Sequence, residues 1–379
     1  MTTENNNKNL NVPNLRFPEF SKPYTQTTIS KLATIVGGGT PDTTVQEYWN
    51  GGIQWFTPSE IGKNKYTDKS ERTITQDGLN NSSAKVLPIN TILLSTRATI
   101  GESSIAKTEC CTNQGFQSLI ANEEITCYEY LYYLVATLKK ELIRKSCGST
   151  FLEISANEVR KIKTFIPSLE EQRKVASLLA LLDERIATQI KIIEKLESLI
   201  KGLCQMLFSF EEYATYLLGD ICSITTGKLD ANAMVEGGKY PFFTCAEEVF
   251  SIDNYAFDTE ALLISGNGVN LGYIHYYNGK FNAYQRTYVL DKFTIDINYI
   301  RLYLETFLKN RIEQEKNIGN TPYIVLGTLS KMKIRVPDII TQQKIVKSMT
   351  SLKKKLSNER LALIKYEEQK KYLLSNLFI

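Results

Sequence analysis

The sequence lacks the short motifs with which several classes of enzyme hold nucleotides or bases. It contains no GxxxxGK(S/T) segment, whose backbone amides and lysine cradle phosphates, and this excludes an ATPase or translocase. It also contains no Pro-Pro dipeptide, which excludes the (D/N)PP(Y/F) loop by which amino-methyltransferases hold a flipped base. The glycine-rich segment GNGVNLG lacks the GxGxxG spacing and is interpreted as a turn. We therefore predict a protein without catalytic residues of its own.

Histidine is almost absent, and the cysteines show no metal-binding spacing. The one histidine, His275 in YIHYY, is interpreted as a strand residue, and none of the seven cysteines forms a CxxC pair. These counts argue against a structural zinc site and against a disulfide framework. No run of 18 apolar residues occurs, and the asparagine-rich start does not resemble a signal peptide. We expect a cytoplasmic protein that does not contact a membrane.

Two long stretches with a coiled-coil pattern are the most prominent features present. They are residues 167–207, opening PSLEEQRKVASLLALLDERI, and residues 337–377, opening PDIITQQKIVKSMTSLKKKL. Apolar residues in both recur at alternating steps of three and four, although Glu359 and Lys370 interrupt the second copy. Each stretch alone could be an ordinary amphipathic helix, but two matched copies favour helices that pack on each other. The residues predicted to make this pairing are Val175, Leu179, Leu182, Ile186, Ile193, Ile345, Met349, Leu352, Leu356 and Leu363.

The segments ahead of the two stretches repeat the same order of predicted elements. LLGDICSITTGK repeats ISKLATIVGGGT, placing Gly227 opposite Gly38, and FDTEALLISGNGVNLGYIHYY repeats INTILLSTRATIGESSIA, placing Gly272 opposite Gly101. Each copy is predicted to contain strands, then a helix, then a strand leading into the long helix; in the first copy Gly148 is expected to stop the shorter helix. The predicted segments are a disordered start (1–13), a first recognition domain (14–166), a central helix (167–209), a second recognition domain (210–336) and a C-terminal helix (337–379).

The predicted loops carry residues whose side chains suit DNA. Arg, Lys, Asn and Gln read base edges in the major groove, while Lys, Ser and Thr hold phosphates. The net charge of +4 is too small to indicate nucleic-acid binding by itself, so loop placement is the only guide. Solvated surface groups are the alternative for each candidate. The candidates are Lys63, Lys65, Arg72, Arg97, Gln114 and Gln117 in the first copy, and Lys228, Asn267, Asn270, Gln285 and Arg286 in the second.

Taken together, these segments resemble the specificity (S) subunit of type I restriction-modification systems. The resemblance rests on PNLRFPEF, KLATIVGGGTP, ILLSTRATIGESSIA with NQGFQ, GST followed by IPSLEEQRKVASLLALLDERI, and the second-half segments LGDICSITTGK, ALLISGNGVNLG and VPDIITQQKIVKSM. Tyr24 stands where many members of the family have Trp, and LDANA replaces the TPDTT of the first half.

The resemblance implies an α/β (α+β) fold with two tandem-duplicated target-recognition domains, each followed by a long helix, the two helices pairing as an antiparallel coiled coil. It implies that each domain reads one part of a split sequence in double-stranded DNA. The implied partners are two methyltransferase (M) subunits, which bind S-adenosylmethionine, and restriction (R) subunits, which use ATP and magnesium. No cofactor is expected on this chain. The family's base contacts vary with the target, so the resemblance assigns none here.

Two other functions are compatible with parts of the sequence. A coiled-coil scaffold that joins protein partners without reading DNA would need the long helices but not the loop residues. A fused restriction-modification polypeptide would need methyltransferase and nuclease motifs, and these are missing.

Overall fold

The computed structural model describes residues 11–148, 152–315 and 323–379. Contacts divide the chain into two compact units, Met1–Thr188 with Leu363–Ile379 (unit 1) and Gln189–Ala362 (unit 2). Each unit therefore combines a globular part with one section of each long helix. The segments predicted from the sequence, by contrast, assign each long helix to a segment of its own, and the boundaries of those segments stay a prediction. Across the described ranges, no helix has the length and hydropathy of a membrane span.

Unit 1 contains two sheets, a strand pair and short helices ahead of the first long helix. Its elements are β1 (Thr25–Thr28), α1 (Ile29–Leu32), β2 (Ala33–Gly37), β3 (Trp49–Phe56), β4 (Tyr66–Thr67), β5 (Arg72–Ile74), α2 (Gln76–Asn80), β6 (Ile92–Leu94), β7 (Ser103–Ala106), β8 (Cys110–Thr112), β9 (Gln117–Ala121), α3 (Tyr128–Thr137), α4 (Lys139–Arg144), α5 (Ala156–Lys161), β10 (Lys163–Ile166) and the start of α6 (Leu169–Leu207). The strand orders are β2-β9-β6-β7-β4, β5-β3-β8 and β1-β10. The apolar core lies between the larger sheet, α3 and the long helices.

Unit 2 repeats this plan with one larger sheet. Its elements are the end of α6, β11 (Ala214–Leu217), α7 (Leu218–Ile221), β12 (Ser223–Thr226), β13 (Tyr240–Phe243), β14 (Phe250–Ile252), β15 (Phe257–Ser265), β16 (Ile274–Ala283), β17 (Thr287–Asp291), α8 (Ile297–Gln314), α9 (Leu326–Ser330), β18 (Lys333–Val336) and α10 (Ile339–Leu377). The strand orders are β12-β17-β15-β16-β13-β14 and β11-β18. The prediction of a duplicated mixed α/β fold with two long helices is confirmed.

The two long helices, each 39 residues, run antiparallel where they meet inside each unit. In unit 1, Val175 and Leu179 share a core with Leu373 and Leu377. In unit 2 the core contains Cys204 from α6 and Phe208 directly after it, with Ile345 and Met349 from α10. Residue numbers increase along α6 while they decrease along the adjoining stretch of α10. The two helices are therefore antiparallel in both units. Burying such side chains stabilises the pair by about 1.5–3 kcal/mol each.

Most of the predicted pairing residues lie on the packed faces. Val175, Leu179, Ile193, Ile345 and Met349 are buried. The remaining members of the predicted set are half-buried: Leu182, Ile186, Leu352, Leu356 and Leu363.

One layer of the helix pair is polar, which the heptad pattern did not predict. Ile190 continues the apolar rhythm but is 40% exposed, whereas Gln189 is only 7% exposed. The Gln189 amide donates to the Glu359 carboxylate (2.6 Å) and to the Glu359 carbonyl (3.0 Å). Glu359, which interrupts the second seam in sequence, is therefore matched by a polar partner on the other helix.

Two local predictions need correction. The segment FLEISANEVRKIKTFIPSL is predicted to lead through a strand into the long helix, but it also contains α5 ahead of that strand. The Ser155 hydroxyl caps α5 by accepting a hydrogen bond from the Glu158 backbone amide. The helix expected to stop at Gly148 ends at Arg144, and Gly148 adopts a positive φ of 132° beyond it. In the predicted disordered start, residues 1–10 lie outside the described ranges, while Pro13 is buried.

Candidate nucleic-acid interface

In unit 1 the loop after β6 is held by four backbone hydrogen bonds. The Ser95 amide donates to the Glu102 carbonyl (2.9 Å), and the Gly101 amide donates back to Ser95 (3.0 Å). The Thr96 amide donates to the Gly115 carbonyl (2.8 Å), and the Thr96 carbonyl accepts from the Ile154 amide (3.2 Å). These bonds tie together three segments that are far apart in sequence: the β6–β7 loop, the turn before β9 and the strand-like residues before α5.

Unit 2 contains the same four bonds at the equivalent residues. Ser265 donates to Tyr273 (2.9 Å), Gly272 donates to Ser265 (2.8 Å), Gly266 donates to Arg286 (2.9 Å) and Ile324 donates to Gly266 (2.8 Å). Gly101 and Gly272 also share a positive φ, 85° and 81°, a conformation that glycine adopts without steric cost. We call this set of eight bonds the loop framework.

The side chains carried on the loop framework differ between the units. Arg97 lies opposite Glu153 in an isolated β-bridge of unit 1, and Asn267 lies opposite Tyr323 in the matching bridge of unit 2. Gly115 of unit 1 is replaced by Arg286 in unit 2. A shared backbone with unlike side chains can present two different hydrogen-bonding surfaces from one fold.

Three of the six candidates in unit 1 lie on this framework. The Arg97 side chain is 43% exposed and pairs with Glu153 at 2.8 Å. Such a half-exposed pair contributes little stability and can be exchanged for another anion. Gln114 is exposed in the turn before β9 and hydrogen-bonds Thr40, while Gln117 begins β9 beside Gly37.

Lys63 and Lys65 follow Pro58–Glu60 but have different surroundings. Lys63 is exposed. The Lys65 ammonium donates to the Tyr133 hydroxyl (3.1 Å) and lies 3.8 Å from a Glu129 carboxylate oxygen. Burial lowers the pKa of Lys65, and Glu129 acts in the opposite direction. The Lys65 ammonium therefore interacts with Tyr133 and Glu129 within unit 1, whereas the sequence led us to expect a cation on the surface.

Arg72 is held by an aromatic pair instead of the loop framework. Its guanidinium lies 3.5 Å from the centre of a Trp49 ring, and Trp49 packs edge-on against Trp55. Both tryptophans are buried, while Arg72 remains exposed on β5. Stacking on a buried ring restrains the guanidinium without using its hydrogen-bond donors.

All five candidates in unit 2 lie on segments joined by backbone hydrogen bonds. The Gln285 backbone amide donates to the Leu229 carbonyl (2.8 Å), and the Gly227 backbone amide donates to the Thr287 carbonyl (3.2 Å). The two segments that carry these residues are therefore neighbours. Lys228, Gln285 and Arg286 are exposed, and Asn267 and Asn270 are half-exposed in the β15–β16 loop. Contact with DNA stays a prediction for every candidate in both units.

Sequence reasoning missed several polar residues that belong to the same surfaces. Glu153 pairs with Arg97, Thr40 bonds Gln114, and Tyr323 is 60% exposed opposite Asn267. The offset of 170 positions that aligns Arg97 with Asn267 also aligns Glu153 with Tyr323, so the repeat carried a usable signal. Among the described residues, no group of His, Cys, Asp and Glu side chains is arranged to hold a metal ion.

Comparison with known proteins gives matches over most of the chain. The family model for the type I restriction modification DNA specificity domain matches twice, at residues 22–198 and 211–366. The type I restriction enzyme MjaIX specificity subunit of Methanocaldococcus jannaschii is 27% identical over 394 residues, covering 92% of this chain and 91% of that protein. The type I restriction enzyme EcoDI specificity subunit of Escherichia coli is 41% identical over 142 residues, covering 37% of this chain and 31% of that protein.

Solved structures show the same fold. The S subunit of a type I restriction-modification system from M. genitalium superposes with a TM-score of 0.62 at 19% identity, covering 97% of this chain and 99% of that one. A chain of a type I system studied for complex assembly and conformational transition gives a TM-score of 0.62 at 16% identity, covering 93% and 97%. The double match of the family model, across both units, shows that this chain belongs to the type I restriction-modification DNA specificity family.

Proposed function

We propose that this chain reads a two-part target in double-stranded DNA, one half-site with each unit, and positions M and R subunits on that target. The observation that carries the proposal is the loop framework. Both units build the same four backbone bonds and place different polar side chains on them. Two copies of one framework with identical side chains would favour a symmetric target, whereas unlike side chains favour two different half-sites.

The chemistry of the framework side chains suits base recognition. Gln114 and Gln285 are exposed amides, which can bond bidentately to adenine, and Arg97 and Arg286 are guanidinium groups, which can bond to guanine. Each good bidentate contact contributes about 1–3 kcal/mol of discrimination. Exposed Lys63 and Lys228 are suited to phosphates, which orient a protein on the duplex without reading sequence.

The proposal assigns the chemical steps to partners. Two M subunits would bind S-adenosylmethionine and methylate adenine, and R subunits would use ATP and magnesium to translocate and cleave DNA. This chain would contribute sequence recognition and the surfaces on which those subunits assemble. It would itself bind neither cofactor.

Mapping methylated adenines genome-wide tests the proposal. Cells that carry the cognate M subunit are sequenced by a long-read method with and without this chain. We expect methylation that depends on the chain and falls on a motif of two short specified parts separated by an unspecified spacer. A single continuous motif, or a methylation pattern unchanged by removing the chain, would contradict the proposal.

The paired long helices also favour a second candidate, a scaffold that joins protein partners without reading DNA. A gel-shift experiment with M subunit and S-adenosylmethionine distinguishes the two. A reader gives a sequence-selective, salt-dependent shift, because phosphate contacts release counterions. A scaffold gives no sequence-selective shift.

A further inference from the structure

Two equivalent glutamines near the start of the long helices have different surroundings. In unit 1 the Gln172 side-chain amide donates to the carbonyls of Ile125 (2.9 Å) and Pro167 (3.1 Å). Its carbonyl oxygen accepts from the Cys127 amide at 3.3 Å. Gln172 on α6 therefore holds the loop before α3 by hydrogen bonds, and both the oxygen and the nitrogen of its side-chain amide have partners.

Gln342 makes only one of the matching bonds in unit 2. Its amide donates to the Pro337 carbonyl (2.9 Å), but its carbonyl oxygen Oε1 has no hydrogen-bond partner among the described residues. The side chain is only 5% exposed, so water does not freely solvate that oxygen. A buried acceptor without a donor is unfavourable.

The local sequence explains why Gln342 does not hold the loop before α8 in the same way. Asp296 caps α8 by accepting hydrogen bonds from the amides of Asn298 (2.8 Å) and Tyr299 (3.1 Å). The equivalent helix α3 begins after Cys127, which makes no side-chain cap. The loop before α8 is thus fixed by its own carboxylate, and Gln342 is left facing open space.

That space is a pocket of about 670 Å³ within unit 2. The residues of its lining that bear on a ligand are Glu212, Tyr213, Tyr216, Ile295, Asp338 and Gln342. Of the described lining residues, the charged ones are both acidic. Burial, Asp338 and Glu212 all raise the pKa of the Tyr213 hydroxyl, as expected where the local potential is negative.

We propose that this pocket binds the guanidinium group of an arginine side chain carried by a partner protein. The unpaired oxygen of Gln342 is an acceptor that lacks a donor, and a guanidinium supplies five N–H donors in one plane. The Asp338 carboxylate already accepts hydrogen bonds from Thr341. The exposed Glu212 carboxylate is therefore the group that we expect to pair with the positive charge of the guanidinium. Tyr213 and Tyr216 also line the pocket, and tyrosine rings are favourable neighbours for a planar cation.

Neighbouring residues indicate that the arginine belongs to a protein segment. Ile339 and Ile340, in the first turn of α10, are 56% and 60% exposed and lie next in sequence to pocket residue Asp338. They provide an apolar contact for residues that flank the arginine. Anionic ligands are disfavoured, because the unpaired atom is an acceptor and both lining charges are negative. The site is separate from the loop framework and does not depend on DNA reading.

A titration of the full chain with N-acetyl-arginine amide tests the proposal. Isoleucine δ1-methyl NMR reports the site through Ile221 and Ile295, which line the pocket, and Ile125 beside Gln172 is the internal control. We expect saturable shifts at Ile221 and Ile295, none at Ile125, and binding of capped citrulline, the neutral analogue, weaker by about tenfold. Absence of saturable shifts, or equal shifts at Ile125, would overturn the proposal.

Variants and competing ligands show whether the pocket recognises the guanidinium group of a peptide arginine. We expect Glu212→Gln to weaken capped arginine binding by about tenfold while the matched exposed variant Glu211→Gln leaves it unchanged. Gln342→Met should abolish it, and Glu212→Gln keeps the test valid if the buried variant fails to fold. Equal binding by Glu212→Gln and Glu211→Gln overturns the proposal. So does tighter binding of capped glutamate, or of free arginine, which would indicate a small-molecule site.

Discussion

Unit 1 and unit 2 differ in the strand that follows the framework loop, and the difference shows which parts of the repeat are shared. In unit 2, β16 is one ten-residue strand that pairs antiparallel with β15 and, at its end, parallel with β13. In unit 1 the equivalent chain is divided into β7, which pairs with β6, and β8, which pairs parallel with β3. These partners are equivalent strands, although β7 also pairs with β4, and three residues, 107–109, break the strand.

This break separates one sheet into two without disturbing the framework. The six-stranded sheet of unit 2 corresponds to the five-stranded and three-stranded sheets of unit 1. All four backbone bonds at the loops are nevertheless kept in both units. Peripheral strands and loop side chains have therefore changed, while the backbone beneath the loops has not. Substitutions at matched positions of the two units can separate the role of that backbone from the role of the side chains.

Replacing the glycines where loop and strand backbones meet should have the largest effect. A Cβ at Gly38 would overlap the Asn113 carbonyl, and a Cβ at Gly227 would overlap the Ala283 carbonyl, so neither backbone can yield easily. We expect Gly38→Ala and Gly227→Ala each to lower the free energy of unfolding by about 3 kcal/mol. Thermal denaturation measures the effect. The controls are Gly52→Ala and Gly202→Ala, whose Cβ atoms meet nothing within 4 Å. Gly52→Ala should be near neutral, and Gly202→Ala, inside α6, should stabilise by up to about 1 kcal/mol.

Lengthening both long helices should change the target spacing. Seven residues add about 10 Å of helix, which corresponds to roughly three base pairs at 3.4 Å each. We expect insertion of one heptad after Glu194, matched by one after Lys354 in α10, to lengthen the unread spacer and leave both half-sites unchanged. Methylome sequencing reads the outcome. Altered half-sites with the original spacer would contradict the idea that the helices set the separation.

Removing one framework arginine should affect one half-site only. We expect Arg97→Ala to relax or abolish reading of one half-site, and Arg286→Ala the other, each by about 1–3 kcal/mol of discrimination. Binding to oligonucleotides with single-base changes measures it. Arg144→Ala and Arg301→Ala, which remove exposed helical arginines paired to Glu141 and Glu305, are the controls. If either framework variant lost both half-sites equally while still assembling, the assignment of one reader per unit would be wrong.

The two glutamines should differ in their contribution to stability. Gln172→Leu removes three hydrogen bonds and leaves buried and partly buried backbone groups unpaired, so we expect a loss of about 2–3 kcal/mol. Gln342→Leu removes one bond together with an unpaired oxygen, and we expect about 1 kcal/mol or less. Urea denaturation of both variants gives the comparison. A larger loss at Gln342 would show that its oxygen has a partner.

The smallest expected effect is on the salt dependence of DNA binding, and it should distinguish Lys63 from Lys65. Lys63 is exposed, so Lys63→Ala should weaken DNA binding at all sequences alike and reduce the salt slope by about one. Lys65 is held by Tyr133 and Glu129, so Lys65→Met should leave that slope unchanged. Binding at several salt concentrations tests both. A reduced slope for Lys65→Met would mean that its ammonium leaves the tyrosine to reach phosphate.

The repeat made much of the candidate surface predictable, but not the state of each side chain. Aligning the two copies placed Gly101 opposite Gly272, and the structure holds both loops with matching backbone bonds and places Arg97 and Asn267 in matching bridges. No local pattern indicated that Lys65 would be drawn toward Tyr133, because those residues lie 68 positions apart. Likewise, the heptad rhythm selected Ile190, since a periodic pattern cannot show that Gln189 finds a partner in Glu359.

Hydrophobic period and glycine position act over a few residues, so they were enough to predict the duplication, the two long helices and the order of elements along the chain. Which polar groups are paired depends on contacts between parts of the chain that are distant in sequence. Gln172 and Gln342 occupy the same place in their repeats, yet one is fully bonded and the other has an unpaired oxygen. That outcome depends on a loop nearly fifty positions away, and hydrogen bonds of this range form only when the chain is folded.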